Sequence, residues 1–73
     1  MVKIPTEAEI EESVIEYIKT PLLNRGVPNR DDAIRHVTGE MPAMPSSVGK
    51  VIKALMDSGR VVLGANGKLI LKS

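Results

Sequence analysis

The sequence predicts a mainly helical α+β domain in which three short helices are followed by a C-terminal β-hairpin. Three observations predict it. Apolar residues recur at helical spacing in three separate stretches. Each stretch is bounded by capping residues, glycine or proline. The end of the chain then switches to two β-prone runs joined by Gly64, Ala65, Asn66 and Gly67. With 73 residues there is room for one domain, over residues 1–73.

Residues 1–5 are expected to form a flexible tail. Thr6 followed by Glu9 is a capping box, which satisfies two free amide donors at a helix start. Ile10, Val14, Ile15, Tyr17 and Ile18 continue at helical spacing, and acidic residues crowd the first turns, where the helix dipole favours them. Pro21 disfavours helical geometry at Thr20, so the first helix is predicted over 7–19. Residues 20–29 read as a connection. Leu22 and Leu23 are expected to tuck beneath the domain, and Val27 to form a short extended stretch between Gly26 and Pro28.

Asn29 is the predicted N-cap of a second helix over 30–38. Asp31 and Asp32 suit its first turn, and Ala33, Ile34 and Val37 form its buried stripe. Gly39 is predicted to close it in a left-handed conformation. Residues Glu40–Pro45 form the turn, where two prolines keep the second helix from running into the third.

The third helix is predicted over 46–58, capped by Ser46 or Ser47. Val48, Val51, Ile52, Leu55 and Met56 form its buried face, and Ser47, Lys50, Lys53, Ala54 and Asp57 the other. Gly59 is its predicted C′ residue. Gly49 is unexpected in a helix interior, where glycine costs about 1 kcal/mol relative to alanine. It implies tight packing on a neighbouring helix or the approach of a phosphate backbone, with packing preferred.

The hairpin is predicted over 60–72, from runs Arg60–Leu63 and Lys68–Lys72. Asn66 and Gly67 are the turn signal, because both residue types tolerate positive φ. Leu69 and Leu71 then face one way, and Lys68, Ile70 and Lys72 the other.

Composition excludes several function classes. There is no cysteine, hence no disulfide framework and no thiolate zinc site. His36, the one histidine, reads as a structural residue. The start of the chain has no apolar run of the secretory kind, and no stretch approaches the roughly 18 apolar residues of a membrane span, so a cytoplasmic protein without membrane attachment is expected. One tyrosine and no phenylalanine or tryptophan imply an aliphatic core. The same shortage argues against single-stranded nucleic acid and RNA, which are usually held by stacking on aromatic rings. No nucleophile–base pair, phosphate loop or carboxylate constellation is visible, so neither enzyme activity nor a metal or other cofactor is expected.

Charge is uneven. Net charge is +1, yet residues 1–40 carry five cations against eight acids, and residues 41–73 carry five cations against Asp57 alone. Such asymmetry suggests a basic face meant for an anionic partner.

Three segments carry a family resemblance. Residues Asp32–Gly39 look like the second helix of a helix-turn-helix. Ser46, Ser47 and Val48, followed by Val51, Ile52 and Leu55, look like a recognition helix. Leu55–Val62 resembles the common exit from that helix into a wing. Over about residues 6–72 the chain therefore resembles the winged helix-turn-helix family. Gly26, Val27 and Pro28 before the second helix are similar to the DNA-binding domain of the SOS-response repressor. The turn over 40–45 is longer than the usual three or four residues.

The resemblance implies a double-stranded DNA-binding module, either a transcriptional regulator or the DNA-binding domain of a larger protein. The third helix would lie in the major groove and the wing on the backbone. Ser46, Ser47, Lys50 and Lys53 are the expected contacts of that helix, with Arg60, Asn66 and Lys68 from the wing and Arg30 at a phosphate. One copy would bind weakly, so a homodimer or a larger protein partner is expected. The alternative is a winged-helix protein–protein interaction module, for which Leu22, Leu23, Met41 and Met44 would form an exposed apolar patch.

Overall fold

A computed structural model describes residues 4–72. Of the expected tail, residues 1–3 lie outside the described residues. Ile4 and Pro5 precede the first helix without regular structure.

Helix α1 spans Glu7–Lys19, as its local chemistry requires. The Glu9 amide donates to Thr6 Oγ1 at 3.2 Å, and the Thr6 amide donates to Glu9 Oε1 at 3.1 Å. The helix stops at Thr20, before proline.

The connection is not irregular. Pro21–Asn24 form a one-turn helix, α2, with Pro21 at its first position, where a missing amide is no loss. Asn24 is the residue that turns inward. Its Nδ2 donates to the carbonyls of Tyr17 at 2.8 Å and Ile18 at 3.0 Å, and its Oδ1 accepts from the Gly26 amide at 2.7 Å. The expected tucking of Leu22 and Leu23 is therefore corrected, for Leu22 is 93% exposed and Leu23 40%. At about 100° per residue, Leu22 lies roughly 200° around the turn from Asn24, so burying one exposes the other. Arg25 and Gly26 then take positive φ and reverse the chain.

Helix α3 spans Arg30–Glu40 and helix α4 spans Pro45–Asp57. Asn29 caps α3 as predicted, its Oδ1 accepting from the Asp32 amide at 2.9 Å. Three local expectations are corrected here, all because of proline. Gly39 does not close α3 and takes no positive φ, and the helix runs on to Glu40. It stops at Met41, which precedes Pro42 and is driven into extended backbone. Neither Ser46 nor Ser47 caps α4: Met44, before Pro45, is the N-cap, and no side chain caps the helix. The turn between the helices thus shortens to four residues, Met41–Met44.

Gly59 closes α4 at φ 81, as predicted. The Arg60 amide donates to the Leu55 carbonyl and the Gly59 amide to that of Met56, each at 3.1 Å, the paired bonds of a Schellman end.

The chain then forms an antiparallel hairpin of β1, Val61–Leu63, and β2, Leu69–Leu71, with Val62 opposite Ile70. Both strands are shorter than expected. The tip is also different, being a 3₁₀ turn over Ala65–Gly67 with Gly67 at φ 75. The Gly64 amide donates to the Lys68 carbonyl at 2.7 Å, closing a three-residue loop instead of the expected four-residue link over 64–67. On its far side β2 meets the chain before α3. Asn29 forms an antiparallel bridge with Lys68, and the Leu69 amide donates to the Pro28 carbonyl at 2.8 Å.

The core is aliphatic apart from Tyr17. It joins Ile10, Val14 and Tyr17 of α1 to Ala33 and Val37 of α3, Val48, Val51, Ile52 and Leu55 of α4, and Val61 and Leu69 of the hairpin. The Tyr17 hydroxyl accepts from the Asn29 amide at 3.4 Å. Burial raises its pKa above the ordinary value. The hydrogen bond from Asn29 opposes that shift, and the charge of Asp32 adds to it.

Candidate nucleic-acid interface

With one face of α4 buried, the residues it leaves outside follow helical spacing. Ser46, Lys50, Lys53 and Asp57 are exposed and form one stripe, at steps of four, three and four. Ser47 is half-buried at the edge of this stripe, and Ala54 is exposed beside it.

Arg30 joins the stripe from the start of α3. It lines one groove together with Pro45, Ser46, Gly49, Lys50, Lys53 and Met56, and among the described residues no acidic side chain lines that groove. Among the described residues Arg30 meets one carboxylate, that of Asp31 at 4.0 Å, whose side chain is 86% exposed. Among the described residues Lys50 and Lys53 have no ion-pair partner.

Gly49 is buried at the floor of this groove. A Cβ there would stand 3.0 Å from Arg30 Nη2. What stands close to Gly49 is the tip of the Arg30 side chain and not the backbone of a neighbouring helix, so the expected helix-on-helix packing is corrected to the approach of one guanidinium.

The wing residues divide. Arg60 turns to α1, where Nη1 pairs with Glu11 Oε1. It lines a groove with Glu11, Glu12, Glu16 and Lys19, away from the Arg30 groove. Lys68 is exposed, and its backbone bridges Asn29, the cap of the helix that Arg30 begins. Asn66 lies in the tip turn, and its side chain lies outside the described residues. Lys72 is exposed beyond β2.

The structure thus brings Arg30, Ser46, Lys50 and Lys53 together, holds Lys68 near the base of α3, and draws Arg60 elsewhere. Pro45 and Met56 complete the groove. Met56 was legible only as a core residue of the third helix, and its half-exposed edge depends on how α3 crosses α4.

A second groove has the opposite character. Glu9, Glu12 and Glu16 of α1 and Glu40 at the end of α3 line it with Ser13 and Met41. His36 does not enter it but lies against the Tyr17 ring at 5.4 Å and contacts Glu40 at 3.4 Å. Among the described residues no group of three or more His, Cys, Asp or Glu is arranged to hold a metal ion. No helix among them is long and apolar enough to cross a membrane.

Comparison with known proteins finds no matching family model, no matching curated protein and no matching solved structure.

Proposed function

We propose that this chain is a winged helix-turn-helix module that binds double-stranded DNA, with α4 in the major groove and the hairpin on the backbone. The observation that carries this reading is the groove of Arg30, Lys50 and Lys53, which no acidic side chain among the described residues lines. Clustered cations repel one another, the exposed Asp31 carboxylate 4.0 Å from Arg30 offsets this little, and a phosphate backbone would supply the missing charge. The topology supports the reading too. A four-residue turn joins α3 to α4, as in helix-turn-helix units, and the bridge at Asn29 gives the hairpin a third backbone segment. A non-enzymatic, cytoplasmic regulator, or the DNA-binding part of a larger protein, is the role this reading assigns.

The test is fluorescence anisotropy against random duplex DNA at two salt concentrations, beside a Lys50→Ala/Lys53→Ala variant. Wild type is expected to bind at low salt and to weaken as salt rises, with a log–log slope of about −0.9 per phosphate contacted. The double variant is expected to lose most of the affinity. No binding by folded wild type at low salt would overturn the reading.

One observation favours a second reading, a protein-interaction module. Leu22 and Met44 are 93% and 67% exposed, and Leu23 is 40% exposed. Met41, the fourth residue expected among these exposed side chains, is instead half-buried against the core. A folded wild type that fails to bind any duplex moves the assignment to this reading.

A further inference from the structure

We propose that Arg30, Lys50 and Lys53 form a seat for one backbone phosphate of duplex DNA, and that Gly49 is the positioning residue that makes room for Arg30 in it. The inference rests on the DNA-binding reading above and names one contact within it.

Glycine is a poor residue for a helix interior, so its place in α4 calls for a physical reason. Positive φ is not the reason, since Gly49 has none. Backbone crowding is not the reason either. The atoms a Cβ would meet within 4 Å are Nη2 of Arg30 at 3.0 Å and Cζ of Arg30 at 4.0 Å. What the missing side chain admits is a guanidinium. It lies across α4 one residue before Lys50 and four before Lys53, and all three cations line the same groove.

The chemistry of the three groups selects the ligand. A guanidinium offers planar, paired donors that match two oxygens of a phosphate, and lysines add point charges around it. A groove with this lining repels cations and suits an anion with several oxygens. In the duplex reading that anion is a phosphodiester beside the major groove. Because Arg30 begins α3 and the lysines belong to α4, the seat would tie both helices to one strand. That fixes the approach of α4 without reading a base.

Four variants test this, each titrated with labelled duplex DNA across a salt series and melted by circular dichroism. Arg30→Ala is expected to weaken binding about five- to tenfold and to lower the salt slope by about 0.9. Gly49→Ala crowds the guanidinium and is expected to weaken binding about two- to threefold, while its melting temperature stays level or rises. Gly49→Leu fills the space and is expected to approach the loss of Arg30→Ala. Arg30→Ala/Gly49→Ala is expected to bind no worse than Arg30→Ala alone, because without the arginine the extra methyl displaces nothing.

If wild type binds DNA and Arg30→Ala binds equally well with an unchanged slope, the seat is overturned and the DNA reading stands. If the Gly49→Ala loss adds fully to that of Arg30→Ala, Gly49 does not act through Arg30 and its positioning role is overturned. If wild type binds no duplex, the DNA reading falls and the seat falls with it.

Discussion

The groove between α1 and the end of α3 and the groove between the start of α3 and α4 are built alike and charged oppositely. Each lies where α3 meets a longer helix, and the two ends of α3 are about 15 Å apart along its axis. The first groove is lined by four glutamates, and the second by an arginine and two lysines. They differ in how their charge is answered within the molecule. Near the acidic region Glu11 pairs with Arg60 and Glu9 serves the capping box, whereas in the basic groove Arg30 reaches only the exposed Asp31 among the described residues, at 4.0 Å. In the basic groove Lys50 and Lys53 have no ion-pair partner among the described residues. Acidic residues early in α1 also have a local structural use, at the positive end of the helix dipole. The lysines of α4 have none of that kind, being in the middle of the helix. Two lysines with no such use are the better pointer to a partner.

The most direct way to break this comparison is to reverse each groove in turn. Lys50→Glu/Lys53→Glu is expected to weaken duplex binding by about 100-fold or more, because each reversal replaces an attraction with a repulsion. Glu12→Lys/Glu16→Lys is expected to leave binding level or slightly tighter. Anisotropy titrations compare the two pairs, and equal losses from both would end the claim that the grooves differ in function.

A smaller effect separates charge from fold. Asn24→Ala removes two donated bonds and one accepted bond from a buried site outside both grooves, so it is expected to destabilise the chain by about 1–3 kcal/mol in urea unfolding. Leu22→Ala, next to it on the outward side, is expected to stay within about 0.5 kcal/mol.

Arg60 sharpens the comparison from the wing. Its pair with Glu11 is partly solvent-exposed, so Arg60→Ala is expected to cost only about 0.5 kcal/mol of stability. Duplex affinity is expected to change less than about twofold, if Arg60 belongs to the acidic region as its pairing suggests. A loss as large as that of Arg30→Ala would return Arg60 to the DNA face.

The smallest effect concerns the core that both grooves share, and it appears only in alkali. The pKa of Tyr17 is raised in the folded state, so the folded chain holds that proton at a pH where the unfolded chain releases it. Its contribution is complete below the ordinary tyrosine pKa of about 10 and is lost as pH rises through the folded value. Unfolding midpoints taken from pH 8 upward are expected to fall for wild type and to fall less steeply for Tyr17→Phe.

Much of the helical frame was legible in residue order, for local reasons. Thr6 with Glu9 starts α1, Asn29 caps α3, and Gly59 ends α4. The errors cluster where two local signals competed. At Gly39 a glycine stop was preferred, but the restriction that Pro42 places on Met41 set the end of α3. At Ser46 and Ser47 a hydroxyl cap was preferred, but Pro45 had already started the helix. Of the candidate site, the exposure of Lys50, Lys53, Ala54 and Asp57 followed from spacing, but the exposed serine is Ser46 where Ser47 was expected. The company of Arg30 and the departure of Arg60 did not, because both depend on contacts between residues far apart in the chain.

The sequence by itself determined the aliphatic core, the alternation of helix and hairpin, and the concentration of positive charge after residue 40. Each of these is set by residue type and near-neighbour spacing. Only the tertiary structure decided that Asn24 turns inward while Leu22 faces solvent, that Gly49 makes space for a guanidinium 19 residues earlier in the chain, and that Glu11 takes Arg60. Those outcomes depend on which surfaces meet when α1, α3 and α4 close around one core, and no local signal carries that information.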